Sequence, residues 1–151
     1  EGITIGGEDL TADLGGVRSS DGIAIHTSRQ LIVLSAKAAG IQAIDTVYSD
    51  FKDVEGLKKE TEMIKKMGFD GKACIHPNQI EVIHDVFNPT EDEIMYAVRV
   101  KKAIAEAKKK GSGVIALGRK MVDKPIVIKA EKILKVAEEA ELHIPSIEEV
   151  E

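Results

Sequence analysis

The chain has 151 residues, enough for one domain with a sizeable core, and its 43% hydrophobic and 31% charged content marks it as globular rather than disordered. A net charge of −5 leaves no basic footprint for nucleic acid, and with aromatic residues at 3% the platforms on which bases stack are missing too. The lone Cys74 excludes an intrachain disulfide and any multi-cysteine zinc site and fits a reducing cytoplasm, and no apolar run is long enough to span a membrane.

The first stretch, ITIGGEDLTADLG from Ile3 to Gly15, holds the densest signals. Its β-branched start predicts a short buried strand, and Gly6-Gly7 let the chain turn sharply at the strand's end. In α/β proteins ligands are bound at the carboxyl ends of strands. Asp9 therefore stands where a hard cation or a substrate hydroxyl is met, and Gly7 has no side chain to screen backbone amides from a small anion. A plainer use is equally open: Asp9 caps the next turn and Glu8 is solvated. The chain begins on Glu1, directly before this strand, which suggests a piece of a longer polypeptide.

Thr11 to Gly22, TADLGGVRSSDG, reads as a loop. Ile23 to Ala39 predicts a helix with Leu31, Leu34, Ser35 and Ala38 on one face, stopped by Gly40. Ile32 and Val33 widen its apolar surface, so the helix is expected to be well buried. IQAIDTVYSD predicts a strand with Ile44 and Val47 as its apolar members and Asp45 between them. Val54 to Met67 is a second helix closed by Gly68. FDGKACI is a third strand, ended by His76-Pro77 because proline cannot donate to a ladder. Strands alternating with helices at this spacing predict parallel pairing with right-handed crossovers.

The pattern then changes. Asn78 to Val86 is a short helix, and Asn88-Pro89-Thr90 before three acids opens a long amphipathic helix, Glu91 to Lys110. Ile94, Ala97, Val98, Ala105 and Lys108 lie along one side of it. Gly111-Ser112-Gly113 breaks it, and Val114 to Val122 predicts a hairpin turning near Gly118. Asp123 caps a last helix whose face carries Ile126, Ala130, Ile133, Leu134 and Ala137. His143 to Glu151 reads as a mobile acidic tail. Residues 1–87 thus hold three βα units and residues 88–151 a helical extension. Three units cannot close an eightfold barrel, so the chain is either an open sheet or part of a larger barrel; the abrupt start favours the barrel.

Histidines at 26, 76, 84 and 143 lack paired metal-ligand spacing, which argues against zinc. GSGVIALG is no dinucleotide fingerprint, and neither a nucleophile elbow nor a Walker sequence is present. Acids at strand ends remain: Asp9, the loose group Asp45, Asp50 and Asp53, and Asp123 before Lys124-Pro125. Such carboxylates suit Mg²⁺, which takes one or two of them and leaves positions for substrate oxygens. The alternatives are helix-start charge for Asp50 and Asp53, an N-cap for Asp123 and a structural role for His76.

Four stretches, GGEDLTADLG, SRQLIVLSAKAAGIQAIDTVYSDFKD, GFDGKACIHPNQI and MVDKPIVIKA, taken in this order and spacing, resemble the citrate lyase β-subunit family of the HpcH/HpaI aldolase superfamily. The resemblance runs to about Leu142. It implies a TIM-type (β/α)8 barrel of which this chain is the carboxyl-terminal part, about three βα units plus a helical extension. It also implies cleavage of citryl, malyl or similar thioesters of coenzyme A or acyl-carrier protein, giving an acetyl-type thioester and a 2-oxo acid, oxaloacetate for citryl.

By the same resemblance Mg²⁺ is held by a Glu and an Asp at successive strand ends, the Asp matching Asp9. The amides of Gly7, Glu8 and Asp9 then bind the oxo-acid carboxylate. Members are commonly trimers in which the residue matching Asp123 does acid/base work in a neighbouring subunit's site. The strands bearing the substrate-clamping arginine and the other metal carboxylate are absent here. Glu8, pointing to the opposite face if the strand's pleat continues, is a poor replacement. The chain alone is therefore expected to bind Mg²⁺ weakly and not to turn over. Alternatives are a malyl-type coenzyme A lyase or thioesterase, and a non-catalytic half-barrel that assembles with a partner chain.

Overall fold

Three short strands, β1 (Gly2–Thr4), β2 (Gln42–Asp45) and β3 (Gly71–Lys72), form one parallel sheet in the order β1-β2-β3. Ile3 pairs with Ala43, and Asp45 with Lys72. The computed structural model describes residues 1–19, 21–109, 115–117 and 120–150. Parallel pairing requires crossovers, supplied here by α2 (His26–Ala39) and α3 (Val54–Met67), so the three carboxyl ends open on one side of the sheet. These elements belong to the first of two units, Glu1–Phe87.

The residues after β1 are helical sooner than their glycine and aspartate content suggests. α1 spans Gly7–Asp13, so the expected loop from Thr11 starts only after Asp13. Gly6, its N-cap, gives no side-chain cap bond. Tertiary bonds hold the helix instead: the Gly7 amide donates to Thr46 Oγ1 at 3.0 Å, and the Thr11 hydroxyl donates to the Gly7 carbonyl at 2.7 Å.

α2 turns a different face inward from the one its leucines suggest. After a 3-10 turn at Ile23–Ile25, the helix buries Arg29, Val33 and Ala36, leaving Leu31 59% and Leu34 65% exposed. Val33 and Ala36 join Ala43, Ile64 and Phe69 in the core. β2 is likewise shorter than expected and directs Ala43 and Asp45 inward, with Ile44 half-buried on the other face. β3 ends at Lys72 rather than at His76-Pro77; one further amide, Ala73, reaches the Asp45 carbonyl at 3.0 Å. α3 starts as expected, its cap Asp53 accepting from the Gly56 amide at 2.9 Å, and ends at Gly68, whose φ of 101° suits glycine. α4 (Asn78–Phe87) packs on α3.

The second unit, Asn88–Glu151, pairs α5 (Glu91–Lys109) with α6 (Lys124–Glu139) beside a two-stranded hairpin, β4 (Ala116–Leu117) and β5 (Lys120–Met121). Thr90 and Glu93 exchange the reciprocal bonds of a capping box at 3.2 and 3.0 Å, which explains where α5 begins. Ala97, Val100, Val122 and Ala130 form the core of this unit. Lys108 is exposed and Ala107 buried, so the inward stripe of α5 runs one residue away from the expected position near its end. The expected break at Gly111-Ser112-Gly113 and the turn near Gly118 lie outside the described residues. The acidic tail is tied down rather than mobile: Val150 is 1% exposed and its carbonyl accepts from Lys102 Nζ at 2.6 Å. Among the described residues no helix is long and apolar enough to cross a membrane.

Candidate active site

Beneath the carboxyl ends of β2 and β3 lies a neutral ionic quartet that local sequence patterns did not indicate. Arg29 Nε and Nη2 donate to Asp45 Oδ1 and Oδ2, both at 2.8 Å. Arg29 Nη2 also lies 3.2 Å from Glu60 Oε2. Lys72 Nζ donates to Asp45 Oδ2 at 2.9 Å, to Glu60 Oε1 at 2.7 Å and to the Thr46 carbonyl at 2.8 Å. All four side chains are at most 2% exposed. Burial lowers the Arg29 pKa, but the bonds and charge of Asp45 and then Glu60 more than offset it, so the net shift is upward and the guanidinium stays charged. The available signal was a charged residue inside an apolar strand run, Asp45 in QAID and Lys72 beside it in register.

Gly22 closes over this quartet. A Cβ there would lie 2.6 Å from Arg29 Nη1, and the φ of 67° disfavours any side chain. Arg29 Nη1 itself has no hydrogen-bond partner among the described residues. Gly22→Ala is expected to cost about 2 kcal/mol through crowding and backbone strain, read as a lowered urea midpoint.

The rim above the quartet carries the residues expected at the site. Glu8 lies on α1, not on a strand face, and its Oε1 accepts from Arg18 Nε at 3.1 Å and Ser49 Oγ at 3.0 Å. It is committed to holding loops. Asp50 accepts from the Lys52 amide at 3.0 Å. Asp9 is exposed, two residues into α1, with Oδ2 3.5 Å from where a Gly6 Cβ would stand. Among the described residues its carboxylate makes no hydrogen bond or ion pair, so the local-cap alternative is not what the side chain does. Gly7 is buried, and a Cβ there would meet Thr46 Cγ2 at 2.8 Å and Oγ1 at 2.9 Å. Its lack of a side chain thus serves close packing, and its amide is occupied by Thr46.

No group of three or more His, Cys, Asp or Glu that could hold a metal occurs among the described residues. A single unpartnered carboxylate does fit Mg²⁺ as one protein ligand, because that ion keeps several waters and uses one or two carboxylates.

Along the rim, Gln79 bridges two loops, accepting from the Ile75 amide and donating to the Tyr48 carbonyl, both at 2.9 Å. His76 stacks on Phe51 at 4.9 Å between centroids and shares a 2.7 Å bond with Asn78 Oδ1. Those contacts match the structural alternative for His76. Tyr48 donates to Asp53 Oδ2 at 2.7 Å. That bond, then partial burial and the carboxylate's charge, push Tyr48 up to about 12, while the same bond and the Gly56 amide lower Asp53. The Asp53 contribution to stability is present above its unfolded value of 3.8 and lost as pH falls through the lowered folded value. The Tyr48 contribution is present below 10 and lost as pH rises from there to about 12. Urea unfolding at stepped pH is expected to show the alkaline decline in this chain and a flatter limb in Tyr48→Phe.

Asp123 belongs to the second unit. It is exposed and caps α6, Oδ1 accepting from the Ile126 amide at 3.2 Å, with Pro125 in the first turn. The capping alternative is therefore present in the structure.

A parallel sheet whose strands alternate with helices, with an unpartnered carboxylate on the helix after its first strand, defines an α/β protein, a class whose members generally meet ligands at strand carboxyl ends. The HpcH/HpaI aldolase/citrate lyase family model matches residues 1–77, and the chain belongs to that family. It is 46% identical over 136 residues to citrate lyase subunit beta of Leuconostoc mesenteroides subsp. cremoris, covering 90% of this chain and 45% of that protein. It is 39% identical over 137 residues to the mitochondrial citramalyl-CoA lyase of Rattus norvegicus, covering 91% of this chain and 40% of the relative. Among solved structures it is similar to protein CitE from Mycobacterium tuberculosis in complex with magnesium, acetoacetate and coenzyme A. That similarity has a TM-score of 0.70 at 37% identity and covers 89% of this chain and 51% of that one. The chain spans about half the length of these relatives.

Proposed function

We propose that this chain supplies the carboxyl-terminal βα units and helical extension of a TIM-type barrel lyase. The enzyme cleaves a citryl-type thioester of coenzyme A or acyl-carrier protein to an acetyl thioester and oxaloacetate. The observation that carries this reading is Asp9. Of the carboxylates at the carboxyl ends of β1 and β2 and in the residues just beyond them, Glu8, Asp45, Asp50 and Asp53 are each committed to a partner, whereas Asp9 has none among the described residues. The likeness to citrate lyase subunit beta and to citramalyl-CoA lyase, and the magnesium bound by CitE of Mycobacterium tuberculosis, support the same assignment.

Asp9 is the Mg²⁺ ligand this chain contributes, and the second carboxylate lies outside it. Bound Mg²⁺ stabilises negative charge on the oxygens of the 2-oxo acid. With the Gly7 amide held by Thr46, the amides of Glu8 and Asp9 meet the oxo-acid carboxylate, and Gly7 serves by letting α1 pack close on Thr46. As the carbon–carbon bond breaks, the substrate hydroxyl gives its proton to a base outside this chain, its oxygen becomes the oxo group of oxaloacetate, and the bonding pair passes into the thioester enolate. Asp123 returns a proton to the enolate carbon and removes one in reverse. In an oligomer, a trimer on the family pattern, it does so in a neighbouring subunit's site. The proposed location is the cytoplasm, consistent with a lone cysteine.

The cap and the chemistry of Asp123 separate cleanly. Asn caps as well as Asp, so Asp123→Asn is expected to keep the stability of the second unit while activity falls about 100-fold or more. Asp123→Ala loses the activity and also about 1 kcal/mol of stability.

Two assays test the reading. The chain alone, given Mg²⁺ and citryl-CoA, is expected to release no oxaloacetate and to bind Mg²⁺ more weakly than micromolar by titration calorimetry. The chain joined to the portion of a citrate lyase relative that it lacks is expected to release oxaloacetate. Micromolar affinity in the first, or a folded but inactive protein in the second, overturns it. Preference for citramalyl- or malyl-CoA over citryl-CoA favours the second reading, a malyl-type lyase, which the citramalyl-CoA lyase relative supports.

A further inference from the structure

We infer that Thr46, just past the carboxyl end of β2, is the positioning residue for Asp9; this rests on Asp9 being a cation ligand. Gly7 opens α1, and its N–H is one of the donors that a helix start leaves without an internal partner. Gly6 has no side chain to cap it. Thr46 Oγ1 takes that place from just beyond β2, 39 residues away, at 3.0 Å.

The fit is close on both sides. Any Cβ on Gly7 would stand 2.8 Å from Thr46 Cγ2, and Thr46 itself is 3% exposed. Behind it, the Thr46 carbonyl accepts from Lys72 Nζ at 2.8 Å, and Lys72 is locked to Asp45 and Glu60. In front, the Thr11 hydroxyl closes on the Gly7 carbonyl at 2.7 Å. The first turn of α1 therefore has one orientation against β2. Asp9 has no bond of its own among the described residues, so its direction comes from that turn. Holding the turn in advance lowers the ordering cost when the carboxylate takes a cation. The buried quartet thus reaches the first turn of α1 by two routes, the Thr46 hydroxyl on the Gly7 amide and Arg18, which lies 3.8 Å from Glu60 Oε2 and bonds Glu8, and only the first of them holds the helix backbone itself.

Mn²⁺ is the probe, because the same oxygen ligands suit it and Mg²⁺, and its paramagnetism broadens nearby amide resonances. In the whole chain, Thr46→Val is expected to speed hydrogen exchange at the Gly7 amide about tenfold. It is also expected to weaken Mn²⁺ binding about tenfold. Thr46→Ser restores both, a rescue that general loss of packing would not give. Asp9→Asn sets the floor, with Mn²⁺ broadening lost from Glu8 to Leu10. Thr46→Ala repeats the measurement if the valine variant fails to fold. Wild-type exchange in these variants, or faster exchange with wild-type Mn²⁺ affinity, overturns the inference while the floor still stands. Wild-type Mn²⁺ binding in Asp9→Asn removes Asp9 as a ligand, and the inference with it.

Discussion

Asp45→Ala is expected to cost the amino-terminal unit about 3–5 kcal/mol, most of the stability that a unit of this size commonly has. The reason is charge left without a counterpart. Arg29 places two donors on Asp45 and Lys72 one, and both side chains are fully buried. Without Asp45 the two buried cations are left with Glu60, which Arg18 also approaches at 3.8 Å, and Arg29 loses the two 2.8 Å bonds that offset its burial. Desolvation then dominates, since Arg29 cannot shed its proton to escape. A thermal melt should move down by more than about 12 °C. Replacing all four members together with apolar residues of similar volume is expected to cost far less, because no unpaired charge remains. A fall below about 1 kcal/mol for Asp45→Ala would mean that water reaches the quartet and that it is no interior feature.

What the sequence disclosed and what it concealed divide along the range of the interactions. α3, α5 and α6 were legible because each is bounded by residues a few positions apart: Asp53 and Gly68, Thr90 and Glu93, Asp123 and Pro125. α1 was hidden because its cap is supplied by Thr46 rather than by Gly6. On α2 the expected Val33 and Ile32 do meet the core, but the leucines do not face inward, for the same reason. A buried arginine beside exposed leucines makes sense only once Asp45 and Glu60 are known to meet it. Asp9 could be singled out from its place after a strand. Its freedom from partners could not, since that depends on Arg18, Ser49 and Lys52 occupying its acidic neighbours. Val150 reads as tail from sequence because nothing near it indicates Lys102.

Asp9→Asn is expected to lower citryl-thioester cleavage by at least about 100-fold in the chain joined to the portion of a relative that it lacks. The change removes a charge and leaves the shape. Because Asp9 makes no bond among the described residues, folding should shift by only a few tenths of a kcal/mol, the value of an acid in a helix's first turn. The catalytic loss is larger because a cation at a developing oxyanion is worth several kcal/mol, and each 1.36 kcal/mol is tenfold in rate. Asn retains one neutral carbonyl oxygen, so raised Mg²⁺ should recover part of the rate by refilling the site without restoring the ligand's charge. Asp9→Glu keeps the charge but moves it by a methylene, and an intermediate rate is expected. Initial rates at stepped Mg²⁺, with circular dichroism to follow folding, distinguish these cases. If Asp9→Asn turns over at the parent rate at low Mg²⁺, the carboxylate after β1 is not a ligand, and its lack of partners is only the solvation of an exposed acid.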